Sequence, residues 1–466
     1  MGEITKIKVN GDPESSYQLY SRNEEFAKRA AVDPSIFAPA PFKPEGKFYL
    51  TFSSPNSFTL AVRNATKKWD GTIEYFASDK TWTAWDGTTT LSAVADDSEY
   101  LLYLRGTGNR IITGGVTAGI WVISGTNIKC IGNIDNLLDY TTVESGNHPP
   151  MANNCYKSMF QGCTSLISAP ELPATTLADY CYNSMFQGCT SLISAPELPA
   201  TTLANNCYNS MFYGCTALTQ APALPATTLA DYCYNSMFQG CTALTQAPAL
   251  SATTLSNGCY SFMFRGCTAL TQAPALPATT LAIYCYSSMF YGCTSLISAP
   301  ELPATTLSSD CYGSMFDGCT SLISAPELPA TTLSKSCYSF MFRGCTSLKL
   351  SSAKTGEYTQ AYRIPTTGTG TTKNGALTNM FAFTGGTFTG TPAINTTYYL
   401  SSNNMIVRDT EIATLNGYVG SMIDAAIGEY ADTAEYIIPS STEGSTKKFK
   451  ITVDDSGALT ATEITQ

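Results

Sequence analysis

Residues 164–189 read TSLISAPELPATTLADYCYNSMFQGC, and this unit returns with small edits through the middle of the chain. The cysteines mark its period. Sixteen of the seventeen fall in pairs eight residues apart, at 155/163, 181/189, 207/215, 233/241, 259/267, 285/293, 311/319 and 337/345, and the pairs recur every 26 residues. Cys130 stands alone before them. A fixed period of this size means units that cannot bury an apolar face singly and stack to share one core.

Three roles compete for the paired cysteines. An odd total and the lack of an apolar leader in the opening residues count against a disulfide framework. Structural zinc uses tight C-x2-C pairs, often with histidine, whereas the spacing here is C-x7-C and His148 is the one histidine of the chain. The third role explains more. Cys181, Met185 and Cys189 fall at i, i+4 and i+8, one face of a short helix, with Tyr182 and Phe186 beside them and Gly188 where the turn would end. Free cysteine packs as a small hydrophobe. Cys155, Cys163, Cys181, Cys189, Cys207 and Cys215, with Met185 and Phe186, are therefore read as a core ladder, each side chain resting on its equivalent one unit away.

Elsewhere in the unit, SLISAPEL is short and extended, and Pro196 and Pro199 suit a strand that ends in a turn. ATTL returns the chain. At a strand spacing of about 4.8 Å, eight coils make a parallel sheet about 40 Å long. The unit resembles the BspA-like leucine-rich repeat in its leucine, the proline after the strand, the Met-Phe pair in the aromatic slot and the closing Gly-Cys. The resemblance covers residues 152–350, with a unit a few residues longer than usual. It implies a right-handed leucine-rich solenoid used for contact with proteins or surfaces rather than for catalysis. Downstream, TNMFAFTGGTFTGTPAINTTYYLSS echoes the unit without cysteines. Met380 and Phe381 keep the anchor, Thr391-Pro392-Ala393 echo the strand, and the segment reads as a degenerate ninth coil. KCIGNIDNLLDYTTVESGNHPPMANN is expected to cap the other end.

Positions that differ between copies of one local geometry are expected on the surface. One column follows Met-Phe: Gln161, Gln187, Tyr213, Gln239, Arg265, Tyr291, Asp317 and Arg343. A second precedes the first cysteine and includes Tyr180, Tyr232 and Tyr284. A third lies on the strand, where Glu171, Glu197, Glu301 and Glu327 alternate with Ala223, Ala249 and Ala275. Tyr and Arg are the usual anchors of interfaces, so Tyr213, Arg265, Tyr291, Arg343, Tyr180, Tyr232 and Tyr284 are the candidate partner-binding residues. The blander alternative is drift on a solvated face. Only thirteen charged residues occur across 152–350, which suits glycan or protein contact better than nucleic acid.

The flanks differ. Residues 1–46 end in FAPAPFKPEG, a proline-rich extended arm. Residues 47–150 carry aromatic and β-branched alternation cut by turn signals and read as an antiparallel sandwich. Trp69, Trp82, Trp85 and Trp121 are either a sugar platform or, more commonly for such residues, core. Near the end, Ile412, Leu415, Val419, Met422 and Ala426 have helical spacing, weakened by Gly417 and Gly420. FKITV and ALTATEI then flank DDSG, a hairpin signal. The closing stretch STKKFKITVDDSGALTATE resembles the tail of bacteriophage head-fibre and related virion proteins. That resemblance implies a virion structural protein, often trimeric, assembled in the host cytoplasm and released by lysis.

Composition bounds the rest. The 466-residue chain has 13% charged residues and a net charge of −10, with no basic stripe to meet phosphates and no apolar run long enough to span a membrane. One histidine leaves no Ser-His-Asp or Cys-His set, and no phosphate loop or HExxH occurs. DDSG at 454–457 lacks the ligand spacing of a calcium loop. Two carboxylates could meet in space, but nothing local favours it. No catalytic residue, metal or cofactor is expected.

The expectation is a mixed β/α multi-domain chain. It comprises an arm (1–46), a β-sandwich-like domain (47–150), the solenoid (151–352), a degenerate repeat or cap (353–402), and a short helix with a terminal hairpin (403–466). Its expected role is that of a phage head-fibre or capsid-decorating protein, a homo-oligomer (a trimer). It would dock to the capsid or other virion proteins and touch a host or mucosal surface glycan or protein. The alternative is a bacterial cell-surface adhesin of the BspA type. An intracellular scaffold is the third reading.

Overall fold

The computed structural model describes residues 7–8, 16–17, 41–114, 120–407, 436–439, 448–453 and 459–464. The chain divides into two compact units, Met1–Glu45 and Gly46–Gln466. In the first, Ile7–Lys8 pairs antiparallel with Ser16–Tyr17. The helical spacing from Ile412 to Ala426 lies outside the described residues.

Among the described residues, the regular structure of the second unit is mostly sheet with one α-helix, and it begins with two sheets. The larger runs Leu166–Ser168, Ile128–Ile131, Leu50–Ser54, Glu99–Thr107, Thr72–Phe76, Trp82–Ala84, with Val94–Asp96 also paired to Glu99–Thr107. The smaller runs Trp121–Ser124, Thr59–Val62, Leu91–Ser92, and neither closes into a barrel. Trp121–Ser124 and Ile128–Ile131 alternate buried and exposed, the period of a strand with one wet face. The buried faces meet where the rings of Phe52 and Trp121 lie 6.1 Å apart. Trp69, Trp85 and Trp121 are core. Trp82 is half-buried, with the Arg105 guanidinium 4.2 Å from its ring centroid. The helix Asn136–Glu144 breaks at Asp139, which is extended. The Asp139 carboxylate accepts hydrogen bonds from the amides of Thr141 and Thr142 and so caps the second helical segment.

These sheets share their core with the repeats. Leu166–Ser168 belongs to the first coil yet is a strand of the larger sheet, parallel to Ile128–Ile131. Phe160 of the same coil touches Phe52 and Trp121 at 6.2 and 5.9 Å. One buried cluster runs from Leu50 to Leu400.

The repeats stack as a periodic ladder of aromatic and cysteine side chains. Tyr182 lies 5.8 Å from Tyr208, and Phe186 lies 5.7 Å from Phe212, the planes within 9° of parallel. Cys181, Met185, Phe186 and Cys189 are fully buried, as are their equivalents Cys155, Cys207 and Cys215, while Cys163 is 3% exposed. All seventeen cysteines are free thiols.

The short helix expected over CYNSMFQG is instead a ribbon of turns. Its amides alternate in destination. Those of Cys181, Asn183, Met185, Gln187 and Cys189 donate three residues back, to Ala178, Tyr180, Tyr182, Ser184 and Phe186. Those of Tyr180, Tyr182, Ser184, Phe186 and Gly188 donate to Asn205, Cys207, Asn209, Met211 and Tyr213 of the next coil. A helix would spend every such bond on itself. Here half of them bond one coil to the next. The backbone allows this by turning left-handed at every fourth residue, with φ of 58° at Tyr180, 55° at Ser184 and 73° at Gly188. The result is a four-residue period, with Cys181-Tyr182 and Met185-Phe186 inward and Asn183-Ser184 and Gln187-Gly188 outward.

The strand side is correspondingly thin. Equivalent rings step 5.5–5.8 Å per coil, wider than the spacing of about 4.8 Å expected for a continuous sheet. Apart from Leu166–Ser168 and Ser324–Pro326, the coils meet there as single bridges such as Ser168↔Ser194 and Thr176↔Thr202. The two prolines of most coils, such as Pro196 and Pro199, withhold the donors a longer ladder needs.

Both ends of the ribbon are covered. At the start, Ile112 and Trp121 donate to the first coil's Cys155 and Met159 carbonyls. At the far end a ninth coil receives Phe342 on Met380 and stacks Phe381 on Phe342 at 5.5 Å. Its own outward amides at Asn379 and Phe381 are met by Thr391 Oγ1 and the Gly390 carbonyl. Thr391-Pro392-Ala393 thus form no strand, and Thr391 covers an edge. Lys448–Val453 and Leu459–Ile464 form the hairpin around DDSG, with Tyr436–Pro439 as its third strand.

Candidate interaction surface

The outward pairs of the turn ribbon make one face, and most of the differences between coils fall on it. Tyr213 is 36% exposed, and Tyr180, Tyr232 and Tyr284 are 38, 39 and 45% exposed. Arg265, Tyr291 and Arg343 are half-buried. The turn geometry sets this layout: a residue just before an inward pair, or just after one, stands at the crest of a turn.

Arg265, Tyr291, Asp317 and Arg343 occupy one position in four successive coils, and the stacking brings them together. The Arg265 guanidinium lies 4.7 Å from the Tyr291 ring centroid and 5.6 Å from that of Phe262. Arg343 Nη2 is 2.5 Å from Asp317 Oδ2. The Asp317 side chain is 6% exposed. Burial raises its carboxyl above the usual range, and Arg343 opposes that shift. At the other end of the column, Gln161 Nε2 donates to Gln187 Oε1 at 2.9 Å. Tyr213 stands apart from the arginines, two coils before Arg265 with Gln239 between them.

Sequence reasoning missed Phe262 and Phe340. Each occupies the second left-handed position of its coil, at φ 58° and 57°, where most coils have serine. Each supports an arginine, Arg343 lying 4.9 Å from the Phe340 centroid. The signal was present, because SFMFRGC occurs in the same two coils and the phenylalanine and arginine arrive together. Lys157 over Tyr180 at 5.1 Å was missed as well.

The strand column is less uniform. Glu171, Glu197, Ala223, Ala249 and Ala275 are exposed, and Glu301 and Glu327 half-buried. Exposed Thr175-Thr176 recur in every coil and mark the invariant flank.

A second polar cluster sits at the junction of sheets and coils. Tyr156, first of the tyrosine stack, donates to the Ile134 carbonyl at 3.2 Å and to Asp135 Oδ1 at 3.3 Å. Asp135 Oδ2 also faces His148 Nδ1 at 3.3 Å. Burial raises the Asp135 carboxyl, and the His148 contact works against it. The His148 ring is half-exposed but partnered.

Among the described residues, no group of three or more His, Cys, Asp or Glu side chains is placed to hold a metal ion, and no helix is long and apolar enough to cross a membrane. No protein-family model, no curated protein and no solved structure matches the chain.

Proposed function

We propose that the chain is a structural contact protein, a head-fibre or capsid-decorating component of a bacteriophage virion. In this reading the coil stack is a right-handed leucine-rich solenoid of the BspA-like type. Its turn-ribbon face touches a host or mucosal surface, and the protein works as a homo-oligomer, a trimer, docked to capsid or other virion proteins. It assigns no catalytic role.

The observation that carries the contact role is the confinement of Tyr and Arg variation to one face of an otherwise repeated stack. Rigid aromatic side chains among Ser, Asn and Gly are also the composition of binding loops that recognise diverse partners. The virion assignment rests on the resemblance of residues 445–463, within which Lys448–Val453 pairs antiparallel with Leu459–Ile464. The same solenoid face favours the second reading, a bacterial surface adhesin.

Peptide mass spectrometry separates the two. Density-purified particles from a lysing culture are compared with the envelope fraction of the host. Peptides from 447–466 in particles, at tens to hundreds of copies against the major capsid protein, are the expected result. Peptides in the envelope fraction alone replace the virion reading with the adhesin.

A further inference from the structure

Tyr180, Tyr232 and Tyr284 stand at the first left-handed position of alternate coils, with φ of 58°, 55° and 56°. Left-handed backbone is costly for an ordinary residue, and bulky residues are rarely found there. The coils between them use Asn206 and Gly258, residues suited to that backbone. Burial does not compensate the tyrosines, since all three are at least 38% exposed. Gly258 even leaves room for a neighbour: a Cβ there would stand 2.4 Å from Tyr232 Cε1. Strained, exposed aromatic residues placed at a fixed interval point to a use outside the fold.

The interval is informative. The rings recur every second coil, at twice the 5.6–5.8 Å step of the inner tyrosine stack. Adjacent coils are almost untwisted, with those stacked rings within 11° of parallel, so the row runs straight. An extended β-1,4-linked polysaccharide offers the same flat sugar face once per disaccharide, close to this spacing. Its equatorial C–H bonds suit a tyrosine face; Asn206 stands between Tyr180 and Tyr232 and Asp310 follows Tyr284, each with a side chain able to bond sugar hydroxyls. The row itself carries one charge, Asp310; Lys157, 5.1 Å from the Tyr180 ring, and Asp179 and Asp231 beside the tyrosines bring both signs to it, with no run of one sign to select a charged polymer.

We infer that Tyr180, Tyr232 and Tyr284 form a linear site for an uncharged β-1,4-linked glycan of cellulose or chitin type. This rests on the contact role proposed above and names its ligand. The test is calorimetry of the full chain with cellohexaose and chitin hexasaccharide, each beside its disaccharide. At least one hexasaccharide binds, and binds more tightly than its disaccharide, because only the longer chain spans the row. Tyr180→Asn, Tyr232→Asn and Tyr284→Asn install the residue found at the same place in coil three, so the variants keep or raise the thermal midpoint. Each weakens binding about three- to tenfold and the triple by more than about a hundredfold. Ile193→Ala, which trims an exposed side chain on the strand side, leaves binding unchanged.

Absence of heat with both hexasaccharides overturns the inference, as does binding that survives the triple exchange or falls equally with Ile193→Ala. Glycan failure with the protein present in particles leaves the virion reading intact. Glycan binding with particles lacking the protein removes the virion reading and leaves this one.

Discussion

Cys189 Sγ lies 3.1 Å from the carbonyl oxygen of Phe160, one coil back, and donates to it. The same bond joins Cys215 to Phe186, Cys241 to Phe212 and onward to Cys345 and Phe316. That carbonyl already accepts the amide of its own coil's second cysteine, as Phe186 does from Cys189. The thiol takes the second lone pair. A small apolar side chain with one weak donor fits the place, which accounts for cysteine there in all eight coils. In the ninth coil Thr384 stands instead, and its hydroxyl donates to Phe381 at 2.8 Å.

Cys241→Ala removes both the sulfur and the donor and should destabilise the protein by about 1–2 kcal/mol. Cys241→Thr keeps a donor, as Thr384 does, and should cost less. Thermal midpoints of the two variants check the order. A midpoint for the alanine variant at or above wild type would show that the Sγ–carbonyl contact contributes nothing.

Burial pushes all seventeen thiols above their usual value, several to about 12 and the others well above it. A raised folded value means stability that is complete below the unfolded pKa of about 8.5 and drains away as pH climbs toward the folded one. Each thiol forfeits about 1.4 kcal/mol per pH unit over that window. Seventeen together outweigh the stability of an ordinary domain within about one or two units. The expected outcome is abrupt alkaline unfolding above about pH 9, seen by circular dichroism, with thiols inert to a disulfide reagent until the transition. Thiols that react one by one in a folded protein at pH 9 would contradict the buried ladder.

Asp135→Asn tests the junction. The raised carboxyl means that its ionisation opposes folding, so its contribution is complete below the unfolded pKa of about 3.9 and is lost as pH rises through the folded value. The asparagine keeps an oxygen for Tyr156 and has no charge. Wild type should therefore lose stability relative to the variant as pH rises from about 4 toward neutrality. Paired melting curves across that range measure the difference, and a flat difference would mean that the carboxyl ionises freely.

Arg343→Ala leaves the Asp317 carboxylate buried without its cation and should cost about 1–3 kcal/mol. Adding Asp317→Gln, which installs the residue found at this position in the first, second and fourth coils, should recover most of that loss. A double-variant cycle on denaturation midpoints reads the coupling. Additive losses would mean that the pair is incidental.

The 26-residue period, the inward set of Cys, Tyr, Met, Phe and Leu, and the outward position of Tyr180, Tyr213, Tyr232 and Tyr284 were all legible in the sequence, because repetition exposes which residues a shared environment constrains. The path of the chain through CYNSMFQG was not. Apolar residues at i, i+4 and i+8 fit a helix of 3.6 residues per turn and a ribbon of four-residue turns equally well over nine residues. The difference lies in where alternate amides go, and their partners are about 25 residues away, on Cys207, Asn209 and Met211. Whether Arg265 meets Tyr291, and whether Asp317 is neutralised by Arg343, depends on the same stacking. Local pattern determined what is buried. Bonding between coils, which no single coil can make for itself, decided the backbone and the surface it presents.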